Sequence, residues 1–93
     1  MPWMYILRCH DGSYYIGSTT NLEIRLAQHQ AGEGGRWNSQ RLPVELAYST
    51  EFHTLDEAAK AEIRVKGWRR RKKEALIQGR YELLPELANT SKK

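Results

Sequence analysis

Two stretches with helical periodicity carry polar side chains on the face that should be buried. Leu22, Arg25, Leu26 and His29 recur at the i, i+3, i+4 and i+7 positions of one helical face. In a later stretch, Glu62 falls within the apolar stripe. An unpaired buried carboxylate costs several kcal/mol, so Glu62 needs a cation or strong hydrogen-bond donors. An inward guanidinium, imidazole and carboxylate together indicate a functional site.

Two tyrosines in successive predicted strands add to this site. A three-residue loop at 10–12, with Gly12 in the left-handed region, places Tyr5 and Tyr15 on the same face of the hairpin. A two-residue turn would instead place the two tyrosines on opposite faces, because a shift of one residue in the strand register moves every side chain to the other face. We predict a loop with an odd number of residues, of which this three-residue loop is an example. Gly17 has no side chain, and we expect it to let a bulky ligand approach the sheet.

Each of these residues also has a purely structural interpretation. Glu62 is spaced for an i,i+4 ion pair with Lys66, which is worth about 0.3–0.5 kcal/mol when exposed. A pair between Arg25 and Glu62 is the structural alternative for the arginine. His29 alone fits a hydrogen-bonded core histidine, and tyrosines are favoured in strands. We favour the site because the inward polar residues occur together.

The elements that must position these residues follow from residue type and capping signals. Residues 3–9 and 13–19 predict two strands, and Val44 to Phe52 a third. A capping box at 20–23 predicts the start of a helix that Gly32 ends. A second box at 54–57 predicts one long helix to about Gln78, ended by Gly79, and Glu82 to Asn89 predict a short final helix.

This order predicts an α+β fold, a small antiparallel three-stranded β-sheet flanked by helices in the order β-β-α-β-α-α. The length of 93 residues fits one domain. We place that domain at 1–80, followed at 81–93 by the short C-terminal helix and a flexible tail.

Composition limits the kinds of site and the cellular location that we expect. One cysteine excludes an intramolecular disulfide framework and a multi-cysteine zinc site. No apolar run approaches the roughly 18–20 residues that span a bilayer, and no secretory signal is recognisable. We therefore expect a cytoplasmic protein without a membrane partner.

The positive charge is concentrated in one segment. Residues 60–80 hold nine Lys or Arg against two Glu, a net charge of +7, whereas the rest of the chain has six basic and nine acidic residues, a net charge of −3. Such a patch fits a polyphosphate partner, although a solvated helix face is the structural alternative. The predicted nucleic-acid-binding residues are Lys66, Arg69, Arg70, Arg71, Lys72 and Lys73.

The spacing of the candidate residues resembles a known signature. Trp3-Met4-Tyr5, followed after nine residues by Tyr15-Ile16-Gly17, is similar to the two-part motif of the GIY-YIG nuclease superfamily. Arg25, His29 and Glu62 follow at matching positions, so the resemblance covers roughly residues 2–78. The chain resembles in particular the small stand-alone UPF0213-like members. Trp3 replaces the first glycine of the motif, and Ser18 stands where some repair-type members carry lysine.

The resemblance implies phosphodiester hydrolysis with one divalent ion. By position, Glu62 would bind Mg²⁺ or Mn²⁺ and Arg25 would hold the scissile phosphate. Tyr15 would activate the water, as base or by handing on its proton. Tyr5 would position phosphate or water, and His29 would assist proton transfer.

Elementary chemistry agrees with these roles. Magnesium keeps most of its waters and needs few carboxylates, and the arginine fork suits phosphate. A tyrosine with a pKa near 10 is a poor base at pH 7, so Tyr15 needs a lowered pKa or a relay to His29. The leading hypothesis is a metal-dependent endonuclease acting on DNA, including single-stranded or branched DNA, without a small-molecule cofactor. The alternatives are a non-catalytic nucleic-acid-binding module and an interaction domain with a structural ion-pair network.

Overall fold

Three antiparallel strands form the sheet in the computed structural model, which describes residues 1–33, 35 and 39–80. They are β1 (Trp3–Cys9), β2 (Tyr14–Thr19) and β3 (Val44–Glu51). Their spatial order is β2-β1-β3, with antiparallel pairing on both sides of β1. The central strand β1 is therefore covered along both edges, and β2 lies at one edge of the sheet, where residues from two layers can meet.

The β1–β2 hairpin has the predicted three-residue loop. The amide of Cys9 donates to the carbonyl of Ser13 at 2.8 Å, and Gly12 adopts a φ of +86°. This register pairs Tyr5 with Gly17 and continues along both strands. Residues directly opposite share a face, so Tyr5 and Tyr15 project from the same side, as predicted.

Three helices complete the described chain: α1 (Leu22–Gln30), α2 (Leu55–Lys66) and α3 (Arg70–Ile77). The order β-β-α-β-α-α and the α+β class are confirmed, but the prediction of one continuous helix to Gln78 is wrong. The helix stops at Gly67, whose amide donates back to the carbonyl of Arg64, and α3 begins after Arg69. Gly79, at a φ of +74°, follows the end of α3 as predicted. The final helix predicted at 82–89 and the tail lie outside the described residues.

Capping residues account for where two of these helices begin. Thr54 and Glu57 form the predicted capping box, each side chain bonding the other's backbone amide. The box predicted at Thr20 is wrong, because Asn21 caps α1 with its side-chain oxygen on the amide of Ile24. Asparagine is as good an N-cap as serine, so the helix begins one residue later than the motif predicts.

The core has two layers, one on each face of the sheet. One face, with Met4, Ile6 and Ile16, packs against Val65 of α2 and Leu76 of α3. The other face carries a second apolar cluster, which α1 covers. Its members are Tyr5, Leu7, Cys9 and Val44, with Tyr15, Leu22, Leu26 and Leu42 against them. Among the described residues, no helix is long and apolar enough to cross a bilayer.

Candidate active site

Two tyrosines and a histidine form an aromatic cluster between β1, β2 and α1. The Tyr5 hydroxyl lies 2.9 Å from Nε2 of His29, and both side chains are buried, with exposures of 1% and 0%. The Tyr15 ring lies 5.0 Å from the His29 ring and 6.3 Å from the Tyr5 ring, centroid to centroid. The helical periodicity of α1 and the hairpin register thus bring together three residues that are separate in sequence, as predicted.

Gly17 makes room for this cluster rather than for a ligand. A Cβ atom at Gly17 would lie 2.5 Å from the Tyr5 hydroxyl oxygen, 2.7 Å from its Cζ and 3.2 Å from Cε2 of Tyr15. The expectation that Gly17 lets a bulky ligand approach the sheet is therefore wrong. The space is filled by the Tyr5 ring, which crosses over its strand partner.

Arg25 binds to the outer side of the cluster. Its Nη1 donates to Oε1 of Gln28 at 3.0 Å, and the hydroxyls of Tyr5 and Tyr15 beside its guanidinium raise the pKa of Arg25. A guanidinium only donates hydrogen bonds, so it can interact with these hydroxyls only through their oxygens. The Tyr5 hydroxyl donates to Nε2 of His29 when the ring proton of neutral His29 is on Nδ1, and it accepts from Nε2 in the other tautomer.

Burial sets the protonation states within the cluster. Burial raises the pKa of the Tyr5 hydroxyl above its ordinary value, against the opposing hydrogen bond from Arg25. Burial, and secondarily the positive charge of Arg25, lowers the pKa of His29. At neutral pH, Tyr5 is a protonated hydroxyl and His29 is a neutral imidazole, so the pair can hold and pass a proton.

Glu62 reaches the edge of the sheet from α2. The Ser18 hydroxyl donates to its Oε1 at 2.6 Å, and Nζ of Lys66 lies 2.7 Å from its Oε2. Glu62 is 19% exposed, and its charge is close enough to raise the pKa of Tyr5. The i,i+4 pair with Lys66 is therefore formed, while the charge of Glu62 also acts on Tyr5 across the edge strand.

The donor set at Glu62 fits a hard divalent cation. Its carboxylate is shielded, is oriented by Ser18, and holds the Lys66 ammonium as a stand-in cation on one oxygen. The described residues contain no group of three or more His, Cys, Asp or Glu suited to a metal. A single carboxylate agrees with an ion that keeps most of its water ligands, as Mg²⁺ does.

The basic residues that were predicted to bind nucleic acid differ in their availability. Arg69 and Arg71 are exposed, and Lys73 is partly exposed. Lys72 is buried, with its ammonium 4.0 Å from the centroid of the Trp68 ring. This position leaves little of Lys72 to contact a ligand.

Arg70 has structural partners within the fold. Its Nε donates to Glu74 at 2.9 Å, and its Nη2 donates to the carbonyl of Gly12 at 2.8 Å. Its guanidinium carbon also lies 4.5 Å from the centroid of the Tyr14 ring. Arg70 therefore fastens α3 to the hairpin loop.

A groove of about 530 Å³ lies elsewhere, between the chain start, the end of β3 and α2. Its lining includes Phe52 and His53, with Glu57, Lys60 and Arg64 from α2, and none of the five predicted catalytic residues. A search for a site by surface shape alone would therefore select this groove and not the tyrosine cluster. We place the candidate site at the cluster because the buried Tyr5 hydroxyl and His29 imidazole lie there beside the Arg25 guanidinium, with the partly buried Glu62 carboxylate held by Ser18 of the adjoining edge strand.

The sequence does not identify Ser18 and Lys66, the two partners of Glu62, as members of the site. The sequence marks Ser18 only through the family resemblance, and Lys66 only as an ion-pair partner or phosphate contact. Their common contact depends on where α2 crosses β2. The i,i+4 spacing was a signal for Lys66, but no local pattern links Ser18 to a helix 44 residues later.

The family comparison agrees with this geometry. Residues 1–75 match the model of the GIY-YIG catalytic domain. Among curated proteins, a UPF0213 protein of Streptococcus pneumoniae is 45% identical over 75 residues, covering 81% of this chain and 76% of its own. A UPF0213 protein of Halobacterium salinarum is 41% identical over 77 residues, covering 83% of this chain and 100% of its own.

Solved structures give the same relationship. The solution NMR structure of a UPF0213 protein of Bacillus halodurans has a TM-score of 0.54 at 39% identity, covering 84% of each chain. A solution NMR structure of an E. faecalis protein has a TM-score of 0.57 at 37% identity, covering 85% of this chain and 84% of that one. With its matched domain, its relatives and the arrangement of its tyrosines, this chain belongs to the GIY-YIG family and is similar to the UPF0213 proteins within it.

Proposed function

We propose that this chain is a metal-dependent endonuclease that hydrolyses phosphodiester bonds in DNA, including single-stranded or branched DNA. The observation that carries the proposal is the convergence of Tyr5, Tyr15 and Arg25 on one side with Glu62 on the other, around edge strand β2. Membership of a family defined by a catalytic domain supports it. A structural role alone does not require a buried His–Tyr pair next to both a guanidinium and a carboxylate.

Arg25 is proposed to bind the scissile phosphate. Its planar donor fork suits a phosphate and carries a permanent positive charge. In the free protein its partners are Gln28, which accepts from Nη1, and the adjacent Tyr5 and Tyr15 hydroxyls. A bound phosphate would replace part of that set, which brings the phosphorus within reach of the tyrosine oxygens.

Tyr15 is proposed to orient and deprotonate the attacking water. Tyr5 is poorly suited to be the base, because burial raises its pKa and favours the protonated form. Its hydroxyl instead joins the cluster to His29, whose neutral imidazole accepts a proton. As Tyr15 takes a proton from the attacking water, it would hand its own phenolic proton on within this cluster, with the neutral His29 imidazole as the final acceptor.

Glu62 is proposed to hold one Mg²⁺ or Mn²⁺ ion, with Ser18 fixing the carboxylate. When bound, the ion supplies positive charge that offsets the charge developing on the phosphate and the leaving oxygen. The exposed Arg69 and Arg71 and the partly exposed Lys73 are proposed to follow the DNA backbone, which favours binding without base readout.

The test uses Glu62→Gln, which keeps the side-chain shape and removes the charge. We expect wild-type protein to cut at least one member of a panel of single-stranded, duplex and branched DNA with Mg²⁺ or Mn²⁺. We expect Glu62→Gln to lose cleavage by roughly 100-fold or more while DNA binding stays within about threefold.

The alternative is a non-catalytic nucleic-acid-binding module. The Lys66–Glu62 ion pair favours it, because the carboxylate is already neutralised without any metal. Binding of the same DNA panel with no cleavage by wild-type protein in either metal would support the module and contradict the nuclease.

A further inference from the structure

The two oxygens of Glu62 are held in different ways. Oε1 accepts from the Ser18 hydroxyl at 2.6 Å, a short bond from the edge strand. Oε2 lies 2.7 Å from the Lys66 ammonium, whose side chain is 52% exposed, whereas that of Glu62 is 19% exposed. One oxygen is therefore anchored by the sheet, and the other is covered by a flexible side chain that reaches solvent.

We propose that Lys66 is a resident counter-ion that covers the metal-binding oxygen of Glu62 and leaves it when a divalent cation binds. This inference rests on the proposed function, because it needs a cation at Glu62. It assigns Lys66 a positioning role and makes cation binding an exchange of one positive partner for another.

Electrostatics requires such an exchange at Oε2. An ammonium and a divalent cation on one carboxylate oxygen would repel each other at a separation of a few ångströms. The lysine is the partner that can leave, because its contact is half-exposed and its four-carbon stem is flexible. The Ser18 bond uses Oε1 and can persist throughout.

The released ammonium would stay close to the site. Lys66 lies one helical turn after Glu62 on α2, so its side chain remains beside the carboxylate when the ion pair opens. A phosphate bound there would give the ammonium a new anionic partner. Lys66 would then neutralise Glu62 in the free protein and the phosphodiester in the loaded protein.

The test measures Mn²⁺ binding by isothermal titration calorimetry in the absence of DNA. We expect Lys66→Met to bind Mn²⁺ roughly three- to tenfold more tightly than wild-type protein, because the competing charge is gone. Lys66→Arg keeps that charge and should stay within about twofold of wild type. The matched control is Lys60→Met, since Lys60 forms an i,i+4 pair with Asp56 on the same helix, 3.3 Å apart and exposed.

Each outcome bears on a distinct claim. The gain should vanish when Glu62→Gln is added to Lys66→Met, and a gain that persists would overturn the exchange at Glu62. Equal or weaker Mn²⁺ binding by folded Lys66→Met, with wild type binding, would overturn the role of Lys66 and leave the metal site standing. No binding by either protein would overturn both this inference and the metal-dependent function.

Circular dichroism and thermal unfolding check that each variant is folded. If Lys66→Met does not fold, Lys66→Gln replaces it, since it also removes the charge and keeps a polar end. The same tighter binding of Mn²⁺ is expected for Lys66→Gln, and unchanged binding would overturn the proposal in the same way.

Discussion

Gly17 and His29 are the residues on which the geometry of the cluster depends most. Gly17 gives the Tyr5 ring a place to lie, and His29 holds the hydroxyl at its end. The sequence showed only that a glycine and a histidine stand at these motif positions. It did not show that Gly17 leaves space for the Tyr5 ring or that His29 bonds the Tyr5 hydroxyl. The hairpin register and the packing of α1 had to be known before either could be explained.

Replacing Gly17 by alanine should destabilise the fold. The added Cβ would lie 2.5 Å from the Tyr5 oxygen, and Tyr5 is buried and held by His29, so it has little room to move. We expect a loss of about 1–3 kcal/mol in the free energy of unfolding, measured in urea. The control is Gly67→Ala, where the new Cβ meets its nearest atom at 3.5 Å. Equal effects of both substitutions would contradict this explanation.

Stability should depend on pH through His29. Burial favours its neutral form in the folded chain and lowers its pKa below 6.5. As the pH falls below about 6.5, the unfolded chain takes up a proton that the folded chain does not, so the free energy of unfolding decreases. The loss ends once the folded chain also titrates.

Urea unfolding of wild type and His29→Gln between pH 7 and pH 5 measures this contribution. Glutamine keeps an acceptor for Tyr5 but does not titrate. We expect wild type to lose on the order of 1 kcal/mol more than the variant over this interval. Parallel pH profiles for the two proteins would contradict a depressed pKa at His29.

Among the helices, the starts of α1 and α2 each depend on one capping side chain. Thr54 caps α2, the helix that carries Glu62, whereas Thr20 precedes the true cap of α1. Both threonines have the same sequence pattern around them, and the choice between Thr20 and Asn21 depends on how the chain leaves β2. The two capping motifs therefore predicted correctly that a helix begins near Thr20 and near Thr54. Only at Thr54 did the motif also identify the capping residue.

Thr54→Ala should lower the free energy of unfolding by about 1 kcal/mol, since the amide of Glu57 loses its acceptor. Thr20→Ala is the matched control and should stay within about 0.5 kcal/mol of wild type. Thermal or urea unfolding of the two variants measures the difference. A larger loss for Thr20→Ala would restore the predicted capping box and contradict the cap at Asn21.

The interruption between α2 and α3 shows what periodicity alone missed. Apolar residues continue at helical spacing across the break, and Arg69 begins α3 without a side-chain cap. Gly67 was the local signal, but a single glycine is tolerated within a helix. The interruption lets Val65 and Leu76 reach one apolar cluster from two short helices.

Over the whole molecule, the basic residues of the segment 60–80 serve different roles at the site, in the fold and on the surface. The basic segment supplies a neutralising partner for Glu62 through Lys66, a structural clip through Arg70 and exposed charges at Arg69 and Arg71. The sequence predicted the patch but not this division, because each role depends on contacts between elements. The order of elements and the convergence of the tyrosines with α1 were predictable, since register and helical periodicity determine them.

Removing Arg69 and Arg71 together should weaken the salt dependence of DNA binding. Each lost phosphate contact lowers the slope of log K against log salt by about 1, so we expect a change of about 2. Fluorescence anisotropy across a salt series measures it, with Glu62→Gln as a control whose slope should not fall. An unchanged slope in the double variant would remove these arginines from the DNA path.

Arg25 and Glu62 are proposed to serve one phosphodiester-cleaving site. A double-mutant cycle tests it, using single-turnover cleavage by wild type, Arg25→Met, Glu62→Gln and the double variant. Residues that act as a unit lose their effects together, so we predict roughly 100-fold or larger losses for each single variant and a double variant no slower than the worse of them. Independent losses that multiply in the double variant, or undiminished cleavage by either single variant, would contradict the account.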